Sequence, residues 1–455
     1  MVKQRGSGVN TYAVQRSHSS GPQPNSDHPR SAVNGGHHLP ADRPQLSRRA
    51  NTRSRNQQRH REITSDIPQP ILGPLTEEER QLALKAWQYF ENNLNAETGL
   101  VDSVKGFNFT TLWDTASYML ATIAAYRLDI IAEEEFSNRM DNALNALIQM
   151  PLYNDELPNK SYDTKTLSMT DYQNRPTEEG IGWSAIDIGR LCVPLNVLLY
   201  EYPEFTPQVR AVVSRWTFDR MFRNGIMYGT SRTNDVEQVN QEGRLGYEEY
   251  VSKSFALLGF DISEAYNYRD FTGFVDVEDV EVPVDLRLPS QFGAHTYTLS
   301  EPYILDGVEF GWDYYSREFS YRVYLAQKNR YENTGIVTAV TETALDDDPY
   351  FVYNTVFGDG IPWASLTSDG LTSESWRTLS TKAALGWAIL YDTDYSAPLL
   401  EKVRSMQNET DGFYAGIYEQ ENRTNTALTC NTNGVILEIF HFKVFGPYLK
   451  IQGRQ

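Results

Sequence analysis

The segment TTLWDTASYMLATIAAYRL, residues 110–128, decides the fold class predicted for this chain. Leu112, Ala116, Met119 and Ile123 recur at intervals of four, three and four residues, so they lie on one face of a helix. An apolar helix face is stable only when another element covers it. The segment therefore predicts further helices packed around this one.

Helical spacing recurs along the rest of the chain. It is found in residues 73–90, 134–150, 182–202, 318–331, 380–391 and 431–442. The first of these segments opens with Thr76 and Glu79, the pair that forms a capping box. Long polar connections between helices of this length favour helix pairs that close on themselves. We predict an all-α fold, an (α/α) helical toroid, over residues 71–455.

One segment, GFVDVEDVEVPVDL (273–286), departs from the helical spacing. Phe274, Val280, Val282 and Val284 alternate with acidic residues, and a period of two is typical of a strand or hairpin. We therefore expect a small β-hairpin insertion among the helices.

The N-terminal segment, residues 1–70, is rich in polar residues and almost free of aliphatic ones. It cannot bury enough apolar surface to offset the entropy of ordering, so it is predicted to be a disordered basic tail. Residues 1–65 carry 11 basic and 3 acidic residues, and the remainder carries 30 basic and 57 acidic residues. The part of the chain after residue 65, the body, is acidic enough to repel nucleic acid. The basic tail lacks the interleaved aromatic residues of a nucleic-acid-binding arm. A neutral partner, such as an uncharged polysaccharide or oligosaccharide, or a cationic one fits this charge better.

Histidine and cysteine usage narrows the chemistry. Five of the seven histidines lie in the tail, which leaves His295 and His441 in the body, and Cys192 and Cys430 are far apart in the sequence. A zinc site or a Ser-His-Asp relay is poorly supplied, so we predict no metal and no cofactor, and carboxylates as the acid–base groups.

The sequence also bears on the compartment. No apolar run of about 18 residues predicts a membrane span. The first 30 residues lack the apolar core of a secretory signal, which is typical of a cytoplasmic protein. A periplasmic or secreted location stays compatible with the sequence.

Three acidic residues in the first half of the body are candidates for a site. Asp114 stands at a predicted helix start, where it is either a cap or a functional residue. Asp187 lies among isoleucines and leucine, a costly position for a carboxyl group unless it is paired or working, and Arg190 is the alternative helix partner. Glu179 precedes a Gly-Ile-Gly turn close to Asp187.

The segment QEGRLGYEEY (241–250) places three glutamates around Arg244. If it is a helix, Glu242 and Glu249 share a face with Tyr247 nearby, and Glu248 lies about 100° away. Glu248 and Glu249 are then explained by partners such as Arg244 or by solvent. Glu242 is therefore the candidate functional residue of this segment.

Later segments add Glu342 and several groups suited to sugars. Glu342 follows an apolar run and precedes residues 346–348, three aspartates of a solvated loop that lack EF-hand spacing. Asn431 stands before a helix and is either a cap or a ligand for sugar hydroxyls. Aromatic rings in such loops offer apolar faces to sugars, and the candidates are Trp183, Tyr247, Trp312 and Trp363.

Several long blocks of the sequence resemble the bacterial family defined as domain of unknown function 3131. They include GIGWSAIDIGRL, SEPYILDGVEFGW, TAVTETALDDDPYFVYNTVF and NTNGVILE. The resemblance spans about residues 75–450 and implies no activity by itself.

A second, more distant resemblance is to the glycoamylase-like helical toroids, which include endo-β-1,2-glucanases and the glycan-processing domain of cyclic β-1,2-glucan synthases. NKSYDTKTL and WSAIDIGRL resemble their Asn-Trp-Tyr-Asp and Ser-Thr-Val-Asp-Ser-Gly motifs through Asp163 and Asp187. QEGRLGYEEY resembles Ser-Glu-Ala-Arg through Glu242 and Arg244, and VTAVTETA resembles Trp-Gly-Ile-Ser-Glu-Ser through Glu342. The neighbours of both glutamates depart from those motifs. The resemblance implies glycoside cleavage or transfer with the two glutamates as acid and base candidates.

The predicted function is that of a glycoside hydrolase or transglycosylase acting on a bacterial polysaccharide, with a β-1,2-linked β-glucan as one candidate. Glu342 is the predicted acid and Glu242 the base, or the roles are exchanged. The other predicted site residues bind substrate: Asp114, Asp163, Glu179, Trp183, Asp187, Arg244, Tyr247, Trp312, Trp363 and Asn431. The alternatives are a non-catalytic glycan-binding or exopolysaccharide-assembly protein and a scaffold whose acids form a solvated face.

Overall fold

Helices dominate the computed structural model, which describes residues 67–233, 236–293 and 295–449. Within these ranges the longer helices are α1 (Glu77–Asn92), α2 (Leu112–Arg127), α3 (Glu133–Gln149), α4 (Ala185–Glu201), α5 (Thr206–Val213), α6 (Tyr247–Leu257), α7 (Glu301–Phe310), α8 (Tyr314–Thr334), α9 (Thr381–Leu390), α10 (Ser396–Ser405) and α11 (Cys430–Phe445). Single helical turns lie at Pro203–Phe205, Phe218–Arg220, Tyr268–Phe271, Pro289–Phe292 and Glu374–Trp376.

Six of these helices form a closed inner ring. Each of α2, α4, α6, α7, α9 and α11 packs against the next, and α11 packs back against α2. Helices α1, α3, α5, α8 and α10 lie outside this ring, each packed on inner helices. The predicted toroid of helix pairs is therefore present.

Short strands occupy the connections. They are β1 (Phe109–Thr111), β2 (Leu152–Tyr153), β3 (Leu157–Pro158), β4 (Ser161–Asp163), β5 (Phe222–Arg223), β6 (Ile226–Thr233), β7 (Val236–Gln241), β8 (Thr272–Val277), β9 (Val280–Asp285), β10 (Tyr297–Thr298), β11 (Glu342–Ala344), β12 (Phe351–Asn354), β13 (Phe357–Gly358), β14 (Ile361–Pro362), β15 (Ser365–Leu366), β16 (Thr378–Ser380), β17 (Tyr414–Tyr418) and β18 (Arg423–Leu428). They form two- and three-stranded antiparallel sheets. The prediction of an all-α fold with one hairpin was thus too narrow. Most of these strands have only two to four residues and leave little periodicity in the sequence, whereas β6 and β7 are as long as the predicted hairpin and were missed.

The predicted hairpin consists of β8 and β9, with Val275 opposite Val282. It lies between α6 and α7 in the chain, where the alternation of outer and inner helices would place an outer helix, and β9 packs on α8. The hairpin therefore substitutes for the missing outer helix of the fourth pair.

Inner helices are buried all round, as expected for elements covered on every side. Thirteen residues of α2 are buried, far more than the single apolar face identified from the sequence. Close helix contacts depend on small residues. A Cβ on Gly189 of α4 would lie 2.7 Å from Cβ of Val251, and one on Gly434 of α11 would lie 3.0 Å from Cβ of Ser117.

Connections differ sharply between the two ends of the ring. Where an inner helix leads to the next outer helix, three to five residues suffice in four of five cases, and 14 residues lead from α6 to β8. The connections that lead into the inner helices have 15 to 46 residues. Consequently almost all of the irregular chain lies at the end where the inner helices begin.

The predicted disordered tail, residues 1–70, lies mostly outside the described residues. Of its last four residues, Ile67 is buried in the core and the carbonyl of Gln69 accepts a hydrogen bond from the Asp392 amide, 3.1 Å. No helix within the described residues combines the length and apolar character needed to cross a membrane.

Candidate active site

The first turns of the inner helices converge on a set of polar side chains. Each inner helix contributes one: Asp114, Asp187, Tyr247, Glu301, Lys382 and Asn431. All six helices begin at this end, so the positive ends of their dipoles point toward the same place and favour negative charge there. The long connections add Glu242 and Glu342.

Glu301, Lys382 and Asn431 form a hydrogen-bonded group beneath these acids. The Lys382 ammonium donates to the Glu301 carboxylate and to Oδ1 of Asn431. Nδ2 of Asn431 donates to Oε1 of Glu301, 3.0 Å, and the Glu301 amide donates to Oγ1 of Thr341, 3.0 Å. Asn431, for which a cap and a site role were both open, is therefore held in this group, while Thr429 caps the helix.

Glu342 lies on β11 and is partly exposed. The Tyr247 hydroxyl donates a hydrogen bond to its carboxyl group. Burial, followed by the charge of Glu301, raises the pKa of Glu342 to about 8, against the opposing effect of the Lys382 ammonium. At neutral pH this carboxyl group is therefore mostly protonated and able to donate its proton.

Asp187 interacts electrostatically with both Glu242 and Glu342. Burial, and then the charge of Glu242, raises the pKa of Asp187 to about 7, and Asp187 in turn contributes to the raised pKa of Glu342. We call Asp187, Glu242 and Glu342 the carboxylate cluster. Each is partly exposed, so the cluster is open to solvent. Arg190 is not the partner of Asp187 that the sequence offered as an alternative, as shown below.

Glu242 follows β7 and is not on a helix, which corrects the helical interpretation of residues 241–250. Helix α6 begins only at Tyr247, because Gly243 and Gly246 have φ of +92° and +99° and break the chain direction. The Glu242 carboxylate accepts a hydrogen bond from the Ala185 amide at the start of α4, 2.5 Å. Burial raises its pKa, and the Lys160 ammonium opposes that rise.

Glu248 and Glu249 are buried, not solvated. Glu248 forms an ion pair with Arg287 at 2.6 Å, a partner that the sequence did not suggest. Glu249 accepts the Gly246 amide at 2.7 Å and so caps its own helix. Burial, with the charge of Glu248, raises the pKa of Glu249 to about 8. Both residues thus stabilise the entry into α6.

Asp114 stands in the first turn of α2 but is not its cap. Thr111 is the N-cap of α2, and its hydroxyl and that of Ser103 both donate to Oδ2 of Asp114, at 2.9 and 2.6 Å. Burial raises the pKa of Asp114, and Asp114 contributes to the raised pKa of Asp187. The capping role weighed for Asp114 thus belongs to Thr111, and substrate binding by Asp114 stays a prediction.

Three predicted substrate ligands either have contacts outside the cluster or are buried. Asp163 organises a turn, accepting the amides of Lys165 and Thr166 at 2.8 Å each. Glu179 is on the surface and pairs with Arg232 at 2.8 Å. Trp183 is only 1% exposed, so its ring cannot stack on a sugar.

The side chains of the remaining predicted substrate ligands contact other residues of the chain. Trp312 follows the C-terminal end of α7, about 15 Å along that helix from Glu301, and stacks on Tyr391. Trp363 packs against the Arg330 guanidinium, 4.8 Å from the ring centre. Arg244 is buried and donates to Oε1 of Gln241 at 2.5 Å. Of the twelve predicted residues, Glu242, Glu342, Asp114, Asp187, Tyr247 and Asn431 are brought together.

Arg190 ties the inner ring together below the cluster. Its guanidinium pairs with Glu309 of α7 at 2.7 Å and with Glu438 of α11 at 3.0 Å. It also donates to the hydroxyls of Tyr250 on α6, 2.7 Å, and Ser117 on α2, 3.1 Å. All four partners are buried, so this network fixes the positions of five inner helices.

Sequence reasoning missed Lys160, Glu301, Lys382 and two tyrosines near the cluster, Tyr172 and Tyr353. Glu301 lies in SEPYILDGVEFGW (300–312), one of the blocks that carried the family resemblance, and Lys382 lies in a further such block, LSTKAALGW (379–387). The spacing within neither block predicts that the two residues pair. Their position in the first turn of an apolar helix was the available signal.

The fold and the site together define a class: a helical toroid with partly exposed carboxyl groups of raised pKa where the inner helices begin. Comparison with known sequences makes this more specific. A family model described as a protein of unknown function, DUF3131, matches residues 81–446, and the chain belongs to that family. The resemblance found in the sequence is thereby confirmed. No curated protein sequence matches the chain significantly.

Solved structures share the fold. The endo-β-1,2-glucanase of Chitinophaga pinensis, in complex with sophorotriose and glucose, has 11% identity and a TM-score of 0.57 over 82% of this chain and 94% of that one. The endo-β-1,2-glucanase of Talaromyces funiculosus with sophorose has 13% identity and a TM-score of 0.53, covering 82% and 84%. A candidate glucoamylase of Bacteroides uniformis ATCC 8492 has 11% identity and a TM-score of 0.59, covering 82% and 92%. At such identities the likeness shows the fold.

Proposed function

We propose that this protein cleaves or transfers glycosidic bonds in a bacterial polysaccharide. The observation that carries the proposal is the carboxylate cluster, in which Asp187, Glu242 and Glu342 all have raised pKa values while remaining partly exposed. Carboxyl groups with raised pKa values beside an ionised one are what glycoside cleavage requires. Other carboxyl groups with raised pKa values, such as Glu249 and Glu309, are buried: Glu249 caps its own helix, and Glu309 pairs with Arg190.

We assign the acid role to Glu342. Its proton would pass to the glycosidic oxygen as the bond to the anomeric carbon breaks, and the departing sugar would leave as an alcohol. The Tyr247 hydroxyl holds the carboxyl group in place. Protonation requires a group that still holds its proton near neutral pH, and a pKa of about 8 meets that condition.

We assign the base role to Glu242. The Ala185 amide and the positive end of α4 favour its charged form, as does Lys160. As a carboxylate it would take a proton from the attacking water, or from a sugar hydroxyl in a transfer reaction. Asp187, which interacts electrostatically with both glutamates, would contact the sugar at the reacting bond.

We propose a neutral β-glucan as the substrate, with β-1,2-linked glucan as the first candidate. The acidic body disfavours anionic glycans, since its formal net charge is −19 even with the basic tail included. Two of the similar structures are endo-β-1,2-glucanases, and this favours the same linkage as the starting point.

The test is release of reducing ends from purified β-1,2-, β-1,3- and β-1,4-glucans by the full chain and by Glu242→Gln and Glu342→Gln. We expect each substitution to lower kcat by at least about a hundredfold. Glu204→Gln is the matched control, because Glu204 is exposed at the opposite end of the ring. Activity kept by both active-site variants would refute the assignment.

The rival function, non-catalytic glycan binding, predicts a different result. The protein would bind one of these glucans in a sedimentation or calorimetric assay without releasing reducing ends or transferred products. Binding that survives in Glu342→Gln, with no turnover by the wild type at any pH from 5 to 9, would favour that rival.

A further inference from the structure

Tyr172 is presented to solvent by a rigid turn. Its side chain belongs to a residue that is 51% exposed, in the connection between β4 and α4. Oδ1 of Asp171 accepts the amides of Gln173 and Arg175 at 2.9 and 3.0 Å, and Oδ2 accepts Nε of Arg175 at 2.7 Å. Exposing the apolar faces of a large ring to water is unfavourable in free energy. Such a ring on a fixed turn is typical of a binding surface.

The turn belongs to the connection that leads into α4, at the end of the ring where the inner helices begin and the carboxylate cluster lies. Burial of its hydroxyl raises the pKa of Tyr172, and the charges of Asp187 and Glu242 add to that rise. No ring-stacking or hydrogen-bonding partner of its side chain lies within the described residues. The ring is therefore close to the reacting groups without being used to hold them.

Tyr353 lies beside Glu342 of the cluster. It lies on β12 directly opposite Glu342 of β11. One face of its ring is covered by Tyr297, with centroids 4.1 Å apart and planes 7° apart, and Phe351 meets it edge-on at 5.2 Å. Tyr353 is thus fixed in a small aromatic wall. Its hydroxyl lies within electrostatic range of Tyr172, Asp187 and Glu342.

We propose that Tyr172 and Tyr353 form an aromatic clamp that binds one sugar ring of a neutral glycan over the carboxylate cluster. This inference rests on the proposed function and names the subsite at which the reacting bond would be placed. The C–H faces of a pyranose ring match the apolar faces of aromatic rings, while its hydroxyl groups remain free for the carboxyl groups below.

The test uses binding and turnover in parallel. Glu342→Gln provides a background in which binding of β-1,2-, β-1,3- and β-1,4-linked gluco-oligosaccharides can be measured by calorimetry. Adding Tyr172→Ala should raise Kd about tenfold, a factor that corresponds to about 1.4 kcal/mol, because one stacked ring face is lost. Tyr172→Phe should stay within about threefold of the parent, since the ring is kept.

Tyr200→Ala is the control for loss of an exposed tyrosine. Tyr200 is 60% exposed in the last turn of α4, at the opposite end of the ring, so this variant should leave Kd unchanged. In the active protein, Tyr172→Ala should raise KM about tenfold with kcat within about threefold, because stacking acts on the bound sugar before and during reaction.

The outcomes separate the two proposals. An unchanged Kd in Tyr172→Ala, or an equal loss in Tyr200→Ala, overturns the clamp even if the protein hydrolyses glucans. Binding that depends on Tyr172 without turnover by the wild type supports the clamp and overturns the enzymatic function. Failure to bind any of the three oligosaccharide types overturns both.

Discussion

Replacing Glu342 by glutamine should stabilise the folded protein at alkaline pH. The pKa of Glu342 is raised from near 4.5 to about 8, so between these values the folded protein keeps a proton that the unfolded chain has lost. Stability from this group is complete below pH 4.5 and is lost as pH rises through 8. Glutamine carries no charge at any of these pH values and can still accept the Tyr247 hydroxyl.

The magnitude follows from the shift. A shift of about 3.5 units corresponds to about 5 kcal/mol as an upper limit, since each unit is worth about 1.4 kcal/mol. Glu342 is partly exposed, and solvent screening reduces this to about 2–3 kcal/mol. The difference in unfolding free energy between Glu342→Gln and wild type should therefore be small at pH 5 and reach that value near pH 8.5.

Urea denaturation at pH 5, 6.5, 8 and 9 would measure this difference, provided that both proteins unfold reversibly with equal m-values. Glu204→Gln should give a difference that does not vary with pH, because Glu204 is exposed. A pH-independent difference for Glu342→Gln would refute the placement of a protonated carboxyl group at this position.

Three further predictions concern the chemistry and the ring. Hydrolysis of the preferred glucan should fall as pH rises through about 8, because Glu342 then loses the proton it donates; kcat measured from pH 5 to 10 tests this, and a rate that climbs above pH 8 contradicts it. Arg190→Met should cost about 3–5 kcal/mol of unfolding free energy in urea, because Glu309 and Glu438 lose their shared cation, and a loss below about 1 kcal/mol would contradict the network's role. Gly189→Ala should cost about 1–3 kcal/mol, since the added Cβ would lie 2.7 Å from Val251; an unchanged urea midpoint would contradict that contact.

Helices were predictable because their signals are local. The capping box of Thr76 and Glu79 is present, and the alternating valines of residues 273–286 do form a hairpin. A helix over the whole of 241–250, the condition considered from the sequence, does not form, because Gly243 and Gly246 have positive φ and break the chain before α6. Their spacing was the sequence signal for a turn before α6.

The site was predictable only in part. Acidic residues within apolar segments, such as Asp187 and Glu342, could be recognised as candidates. Burying a carboxyl group costs free energy unless it is paired or has a function. The pairing of Glu301 with Lys382 joins residues 81 positions apart, and no local pattern encodes it. Whether an aromatic residue is exposed was equally hidden: Trp183 is buried, whereas Tyr172 is not, although both lie in the same connection.

The unequal connections at the two ends of the ring have a consequence for how such a protein changes during evolution. The buried inner helices tolerate few substitutions, because close contacts such as that at Gly189 fix the distances between them. The long connections, which supply Tyr172, Glu242 and Glu342, are only partly constrained by these helices. The site can therefore change by lengthening or replacing one connection at a time, without altering the six converging helix ends or the Arg190 network.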